Sequence, residues 1–294
     1  MMPETDVILE SLKDFQRRTV DHVFRRLWLD QDQEKRFLVA DEVGLGKTMV
    51  AKGVIAKTVE HLRDSGKRID IVYICSNGQI ARQNLRRLNI VGAREYPHAD
   101  RLTLLPNVIS ELRDEEINFV SFTPGTSLQL GSSGGRYQER ILLYWMLARC
   151  WGDRVTGSVR WRKFFEGGMD RERFRERLKR FDWRGLDDEL CESFGASVDS
   201  SVGPAGGPLP IELEGCAERF TYLRGRPNSS LNQRRNQLIG TLRQLIAHAA
   251  VQHLEPDLVI LDEFQRFKDV IDPDNVDDSA ELARAIFEDR KSVV

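Results

Sequence analysis

Two spacings of apolar residues alternate along the first 130 residues of the chain. A helix-like spacing, with apolar side chains three or four positions apart, occurs at residues 9–29, 48–63 and 80–88. Short apolar runs, which predict buried strands, occur at residues 36–40, 69–75, 117–122 and, much later, 258–261. Because strands alternate with helices, the pattern predicts an α/β fold with a mostly parallel sheet and helices on both of its faces.

This alternation is interrupted between residues 131 and 253. The segment begins with Gly-Ser-Ser-Gly-Gly at Gly131–Gly135, continues with a stretch rich in tryptophan and arginine, and has a Gly/Pro-rich break at Ser200–Pro210. A helical pattern from about Asn232 to His253 leads back to the last strand. We therefore predict that residues 1–130 and 254–294 form one α/β domain, and that residues 131–253 form a large helical insertion.

The composition is that of an ordinary globular protein. The chain has 294 residues, of which 40% are hydrophobic and 31% are charged. No apolar run approaches the roughly 20 residues that cross a bilayer, and the N-terminus does not resemble a signal peptide. The cysteines are widely separated and form no Cys-x-x-Cys pair: Cys75, Cys150, Cys191 and Cys216. These features favour a cytoplasmic protein with free thiols and no membrane partner.

The net charge of −2 conceals an asymmetric distribution. Residues 136–180 carry 13 basic against 6 acidic side chains, whereas residues 255–294 carry 5 against 12. The basic segment suits contact with a phosphate backbone, and its tryptophans suit base stacking. A solvated helical face and buried core tryptophans explain the same composition equally well, so the sequence leaves both interpretations open.

A glycine-containing turn joins the first predicted strand to the helix that follows it. From Asp41 to Thr48 the sequence is Asp-Glu-Val-Gly-Leu-Gly-Lys-Thr. Gly46, Lys47 and Thr48 fit the end of the P-loop pattern Gly-x-x-x-x-Gly-Lys-Ser/Thr, although Asp41 stands where the pattern has its first glycine. In a P-loop, backbone N–H groups surround the phosphates of ATP, the lysine reaches the β- and γ-phosphates, and the hydroxyl binds Mg²⁺. The turn therefore predicts an ATP–Mg²⁺ site with Lys47 in a catalytic role and Thr48 as a metal ligand.

Two adjacent carboxylates, Asp262 and Glu263, follow the last predicted strand. Ligands of open α/β sheets bind at the carboxyl ends of the strands. Asp262 is predicted to hold Mg²⁺, and Glu263 is predicted to be the catalytic residue that orients or deprotonates the attacking water. An Asp-Glu pair after a strand is by itself a common polar exit from a core, but the preceding P-loop favours the metal role.

Together these motifs resemble the first RecA-like lobe of superfamily-two helicases, and most of all the Swi/Snf-type DNA translocases. In that group the Asp-Glu-x-Gly-Leu-Gly-Lys-Thr form normally replaces the first P-loop glycine, so Asp41 strengthens the resemblance. The resemblance covers roughly residues 9–130 and 254–270. It implies a P-loop NTPase fold of the RecA-like type and an ATP-dependent helicase or translocase that acts on DNA or RNA, with double-stranded DNA favoured. It also implies that the whole turn contributes nucleotide contacts: Asp41, Glu42, Gly44, Leu45, Gly46, Lys47 and Thr48.

Further stretches are similar to other motifs of the family. Leu12–Gln16 resembles the Q-motif, which implies that Gln16 binds the adenine edge. Gln265 stands at the position of the histidine in the Asp-Glu-x-His box, which implies a role in coupling the γ-phosphate to DNA. Residues 75–84 and 121–127 are similar to loops that contact the nucleic-acid backbone, although both sequences also suit plain turns.

In the family, a Ser-Ala-Thr motif and a second RecA-like lobe with arginine fingers follow the Asp-Glu box. Neither occurs before Val294. We therefore expect this chain to bind ATP but to hydrolyse it slowly, if at all, by itself. Three origins stay open: a truncated gene product, an excised lobe, or half of a split enzyme whose second RecA-like lobe is on another chain. Two alternatives stay open: a P-loop ATPase that remodels a protein partner, and a non-catalytic interaction protein that nucleotide orders.

Overall fold

The computed structural model is mostly helical and contains a small parallel sheet. It describes residues 5–34, 36–39, 45–75, 78–90, 98–99, 101–112, 116–122, 134–223, 225–254 and 256–262. The chain divides into two compact units. Unit 1 consists of residues 1–101, 112–127 and 254–294, and unit 2 consists of residues 102–111 and 128–253. Unit 2 thus contains a segment, residues 102–111, that the sequence placed in the α/β domain.

The described part of unit 1 contains both helices and strands. In chain order they are α1 (Thr5–Glu10), α2 (Asp14–Phe24), a π-helical turn (Arg25–Leu29), α3 (Lys47–Arg63), β1 (Ile69–Ile74), α4 (Gly78–Leu88), β2 (His98–Ala99), β3 (Ile117–Phe122) and β4 (Leu258–Leu261). Helix α3, helix α4 and strands β1, β3 and β4 lie where the apolar patterns predict them.

The sheet has the strand order β2-β3-β1-β4, and each neighbouring pair is parallel. In the register, Ile71 of β1 lies between Phe119 of β3 and Leu258 of β4. Because β4 follows β3 by more than a hundred residues yet pairs with β1, the chain returns from unit 2 to complete the same sheet. The predicted parallel α/β architecture of this part is therefore present in the structure.

Alternate residues of the central strand build the core of unit 1. Ile69, Ile71 and Tyr73 belong to one buried cluster with Phe119 and Ile260 of the neighbouring strands. Helices α2, α3 and α4 add their apolar faces to this cluster: Val20, Val23, Val50, Val54, Ile55, Val59, Ala81, Leu85 and Leu88. Strand β1 is buried along its whole length, as expected for the middle of a parallel sheet.

Two predicted elements of unit 1 differ from the structure. The helical spacing over residues 9–29 corresponds to two helices and a π-helical turn, because the chain leaves the helix at Ser11–Lys13 before α2 begins. In the described part of the predicted strand at residues 36–40, Arg36 takes part in a single β-bridge and residues 37–39 are irregular. There Phe37 and Val39 pack against the core while Leu38 is 67% exposed, so the apolar run alternates in burial without forming a strand over residues 37–39.

Unit 2 is helical in its described part. It contains a 3₁₀ turn (Leu102–Leu104), most of α5 (Pro106–Leu112), α6 (Tyr137–Trp151), a second 3₁₀ turn (Gly152–Arg154), α7 (Val159–Glu166), α8 (Arg171–Arg180), α9 (Asp188–Ser200), α10 (Leu209–Glu218) and α11 (Ser229–Leu254, whose last residue belongs to unit 1). Aromatic side chains dominate its core; Trp161, Phe164, Phe165, Phe174, Phe194 and Phe220 are fully buried or nearly so.

The tryptophans of unit 2 are packing residues. Trp151 and Trp161 are buried, with their ring centroids 5.6 Å apart. Trp145 and Trp183 are half-buried and stack on each other at 5.4 Å, with an angle of 12° between the rings. Of the two interpretations that the sequence left open for these residues, the structure favours the core.

Candidate functional site

A left-handed glycine begins helix α3. Gly46 has φ of +83°, and its carbonyl accepts hydrogen bonds from the N–H groups of Met49 at 2.8 Å and Val50 at 3.2 Å. Lys47 and Thr48 therefore form the first turn of a 17-residue helix. Helix N-termini carry a partial positive charge and N–H groups that point outward, which favours anions such as phosphate.

Gln16 holds this turn against helix α2. Its Nε2 donates to the carbonyl of Leu45 at 2.9 Å, and its Oε1 accepts from the N–H of Lys13 at 3.0 Å. A Cβ on Gly46 would lie 2.6 Å from Gln16 Nε2, closer than real Cβ atoms approach other atoms. Position 46 therefore requires glycine for two reasons, its backbone conformation and its contact with Gln16.

Gln16 is buried and hydrogen-bonded to other parts of the protein. Its side chain is 6% exposed, and both ends of its amide bind protein groups. Each end keeps one further hydrogen-bonding position, because the amide has two N–H donors and its oxygen has two lone pairs. The contact with Leu45 makes Gln16 a support of the glycine turn, and the adenine-binding role stays a prediction.

Asp262 continues the sheet beyond the end of β4. Its N–H donates to the carbonyl of Ile74 at 2.8 Å, which fixes its backbone beside the carboxyl end of β1. Its Oδ2 accepts from Tyr73 Oη at 2.5 Å and from Asn84 Nδ2 at 3.1 Å. Asn84 Nδ2 also donates to Tyr73 Oη, at 2.9 Å. Three elements, β1, α4 and β4, thus converge on one carboxylate.

The buried phenol of Tyr73 acts as a donor to Asp262. Burial, and next the hydrogen bond to Asp262, raise the pKa of Tyr73 well above its ordinary value of 10.0. Tyr73 therefore stays protonated at all physiological pH values, and its O–H group donates a hydrogen bond to Oδ2. The carboxylate of Asp262 is held in one orientation by two neutral groups.

The predicted site residues fall into two groups. Gln16, Leu45, Gly46, Lys47, Thr48 and Asp262 belong to the described part, whereas Asp41, Glu42, Gly44, Glu263 and Gln265 lie outside the described residues. Direct contacts join Gln16 to the glycine turn. Asp262 instead contacts Tyr73 and Asn84, two residues to which the sequence assigned no metal-site role.

Asn84 could have been found from its position in the helix. Helix α4 is amphipathic, with Ala81, Leu85 and Leu88 buried, and Asn84 is 7% exposed on the same face. A buried amide on an apolar face needs a partner, and here the partner is a carboxylate. The stretch that resembles a nucleic-acid-contacting loop, residues 75–84, therefore supplies a support for Asp262.

A second polar network lies at the opposite end of the same strands. The carboxylate of Asp70 accepts from Asn118 Nδ2 and from Arg68 Nε, both at 2.8 Å. The backbone of Asp70 donates to Asp257 Oδ2 at 3.0 Å and accepts from the N–H of Asp257 at 2.8 Å. Burial raises the pKa of Asp70, although the bonds to Asn118 and Arg68 lower it in part. This network ties β1 to β3 and to the residue before β4.

A buried ion pair organises unit 2. Glu139 and Arg243 are both fully buried, and Arg243 Nε lies 2.9 Å from Glu139 Oε1. Glu139 also accepts from Thr103 Oγ1 at 2.6 Å and from the N–H of Arg136 at 2.5 Å. Gly135 has φ of +63°, and a Cβ there would lie 2.9 Å from both Arg243 and Glu139. Gly135 is thus a packing position next to this pair, whereas a Cβ on Gly134 would lie 2.6 Å from Asn236 Oδ1.

Other possibilities for chemistry are limited in the described part of the chain. Cys75, Cys150, Cys191 and Cys216 are free thiols, as predicted. Within the described ranges, no three His, Cys, Asp or Glu side chains come together as a metal site. A search of the same residues finds no helix with the length and apolar character needed to cross a membrane.

Comparison of the chain with family models, with curated proteins and with solved structures finds no match. The candidate site therefore depends on its own residues and geometry.

Proposed function

We propose that unit 1 is the ATP-binding lobe of an ATP-dependent nucleic-acid translocase or helicase with a RecA-like P-loop fold. The observation that carries the proposal is the left-handed Gly46 at the start of α3, fixed by Gln16 and followed by Lys47 and Thr48. A second support is Asp262 at the carboxyl end of a parallel strand, where α/β proteins bind ligands.

The residues present fit ATP and Mg²⁺. Gly46 has no side chain that could come between the backbone of the turn and a phosphate. Lys47 would reach the β- and γ-phosphates, and the N–H groups of the first turn of α3 would donate to phosphate oxygens. Mg²⁺, when bound, would neutralise the negative charge of the phosphates.

Thr48 and Asp262 are the residues that would hold the metal ion. Tyr73 and Asn84 fix Oδ2 of Asp262, so the carboxylate would keep its orientation with or without a bound ion. The adjacent Glu263 is the residue we assign to the attacking water, and Gln265 the residue we assign to coupling with nucleic acid. In the family that the sequence resembles, turnover also needs an arginine from a second lobe, worth roughly 10³–10⁵ in rate.

The test is an ATPase assay with and without nucleic acid. We expect ATP binding by the chain, slow turnover, and stimulation by double-stranded DNA that falls as salt rises. Lys47→Ala should abolish ATP binding, whereas Lys52→Ala, five residues further along α3, should not. DNA stimulation should be larger when a complementing second lobe is supplied on another chain.

Three results would contradict parts of this proposal. ATP binding that survives Lys47→Ala would contradict the assignment of the glycine turn as the ATP site. Stimulation by a protein but by no nucleic acid, with or without a second lobe, would favour a protein-remodelling ATPase. ATP binding without turnover under any of these conditions would favour a non-catalytic interaction protein.

A further inference from the structure

Helix α8 of unit 2 presents an exposed surface with a large excess of positive charge. Of its ten residues, six are basic and two are acidic. Phe174 and Leu178 are buried and attach the helix to unit 2, and the other eight side chains are exposed. At each end the helix is fixed: Asp170 Oδ1 accepts from the N–H of Arg173 at 3.0 Å, and the carbonyl of Leu178 accepts from Trp145 Nε1 at 3.2 Å.

The basic side chains form two rows on either side of the exposed face. Because a helix turns about 100° per residue, Arg171, Arg175 and Lys179 align along one flank. Arg173, Arg177 and Arg180 align along the other. Glu172 and Glu176 lie between the two rows. Successive members of a row that are four residues apart are about 6 Å apart along the axis.

Carboxylates offset only part of this charge, because two acidic side chains share the face with six basic ones. Arg171 Nε lies 3.8 Å from Glu166 Oε2, and the other five basic side chains of α8 make no ion pair with any residue that the structure describes. The positive surface extends to α7, since Arg162 lies close enough to Arg175 and Arg171 for their charges to lower its pKa, after the larger effect of burial. Like charges kept together at a surface are unfavourable unless an anion binds there.

The arrangement favours nucleic acid over the other polyanions. Five of the six basic residues are arginine, whose planar guanidinium binds phosphate through two parallel hydrogen bonds. A membrane-binding amphipathic helix needs an exposed apolar face, but the apolar face of α8 is inside unit 2. We propose that α8 binds the phosphate backbone of the nucleic acid, as a contact surface outside the ATP-binding unit. This inference rests on the nucleic-acid partner of the proposed function.

The experiment measures the binding of the full chain to a fluorescein-labelled 30-base-pair DNA duplex by anisotropy between 50 and 200 mM salt. In Arg175→Gln/Lys179→Gln we expect weaker binding and a salt dependence, the slope of log K against log salt, that is shallower by about 2, since each phosphate contact contributes about 0.9. In Glu172→Gln/Glu176→Gln, which removes the two acidic side chains of the surface, we expect tighter binding.

The matched control is Arg219→Gln/Arg226→Gln, which removes the same charge from exposed residues of unit 2 outside α8. We expect this control to keep the wild-type slope. An equal loss in both pairs would overturn the proposal, because net charge and not α8 would then govern binding. Circular dichroism of every variant separates lost contacts from lost folding.

Two further arms distinguish this proposal from the proposed function. Binding of the wild type to phosphatidylserine-containing vesicles, weakened by the α8 substitutions, with no binding to the duplex would overturn the nucleic-acid partner in favour of a lipid surface. ATP binding and its loss in Lys47→Ala test unit 1 separately. If ATP binds but Arg175→Gln/Lys179→Gln leaves duplex binding unchanged, the inference about α8 fails while the proposed function stands. If this double substitution weakens duplex binding and no ATP binds, the inference about α8 stands while the proposed function fails.

Discussion

At the scale of single residues, Gly46 is the position at which the sequence motif and the folded structure both require glycine. The motif requires glycine for close approach of phosphate, and the fold requires it for a φ of +83° and for contact with Gln16. Asp262 has a comparable position, since its predicted chemistry needs a fixed carboxylate and the fold supplies Tyr73 and Asn84 to fix it. Substitutions at these residues separate structural from chemical roles.

Gly46→Ala should lower both thermal stability and ATP affinity. A left-handed backbone costs a non-glycine residue about 1–2 kcal/mol, and the contact with Gln16 adds to this cost. The control is Gly66→Ala, because Gly66 has φ of +64° but no atom within 4 Å of the position of an added Cβ. Chemical denaturation should show a larger loss for Gly46→Ala than for Gly66→Ala. Equal losses would contradict the close contact with Gln16.

Tyr73→Phe should weaken the Mg²⁺-dependent binding of ATP and leave the packing of the core unchanged. The substitution keeps the buried ring and removes the donor to Asp262, and hydrogen bonds to charged groups contribute about 1.5–3 kcal/mol. We expect a lower free energy of unfolding and a higher Mg²⁺ concentration for half-maximal ATP binding.

The matched control for Tyr73→Phe is Tyr144→Phe. Tyr144 is also buried, but its hydroxyl makes a long bond of 3.4 Å to a neutral carbonyl. This variant should lose less stability and keep the Mg²⁺ dependence of the wild type. The same Mg²⁺ dependence in both variants would contradict the role of Tyr73 in fixing Asp262 for Mg²⁺ binding.

At the scale of elements, the parallel strands of unit 1 are held by side chains as well as by their backbone hydrogen bonds. The network around Asp70 joins β1 to β3 and to the chain entering β4, at the end of the sheet opposite to Asp262. Strand β4 follows β3 only after residues 128–253 of unit 2. Its docking therefore depends on contacts between residues that are far apart in the chain, among them Asp70 and Asp257.

Asp70→Asn should change how stability depends on pH. Because burial raises the pKa of Asp70 above 3.8, the folded protein keeps this proton to a higher pH than the unfolded chain. The contribution of Asp70 to stability is therefore greatest below pH 3.8 and falls as pH rises through the folded pKa. Asparagine does not titrate, so the variant should gain stability relative to the wild type as pH rises from 3.8 through the folded pKa of Asp70.

Urea denaturation at a series of pH values from 3.5 to 7 would measure this difference. Asp64→Asn, at the exposed end of α3, controls for the removal of one acidic residue. A difference between the Asp70→Asn variant and the wild type that stays constant across the series would contradict the raised pKa.

At the scale of the whole molecule, the chain builds two cores of different character. Unit 1 has an aliphatic core around a parallel sheet, and unit 2 has an aromatic core with a buried Glu139–Arg243 pair. Multi-unit proteins frequently unfold in more than one step. A substitution buried in one core should therefore lower the unfolding transition of that unit.

Glu139→Gln should destabilise unit 2 strongly. The substitution leaves Arg243 as an uncompensated buried charge, which typically costs about 3–5 kcal/mol. Calorimetry should show a lower transition for unit 2, while ATP with Mg²⁺ should raise the transition of unit 1. The control is Glu218→Gln, since Glu218 is 71% exposed in its pair with Arg160 and exposed pairs contribute at most about 1 kcal/mol. Similar effects of the two substitutions would contradict the buried pair.

Much of the architecture and part of the site could be predicted from local patterns in the sequence. Period and length identify α3, α4, β1, β3 and β4, because each buries a regular apolar face. Gly46, Lys47 and Thr48 were predicted as site residues because a P-loop is a short motif whose geometry is largely local. Asp262 was predicted because it follows an apolar strand, and ligands of α/β sheets bind at the carboxyl ends of strands. The apolar run at residues 36–40 misled, since burial of alternate side chains does not by itself produce strand pairing.

Contacts between distant residues required the tertiary structure. Asn84 and Asp262 are 178 residues apart, and Glu139 and Arg243 are 104 apart, so no spacing rule connects them. Gln16 supports the glycine turn because α2 packs beside α3, and Gly135 is needed because a buried ion pair lies against it. The sequence by itself determined α3, α4, β1, β3 and β4 and the glycine turn that begins α3. Only the folded structure decided which buried polar groups become partners, because a carboxylate or amide removed from water must bind whichever group the packing brings to it.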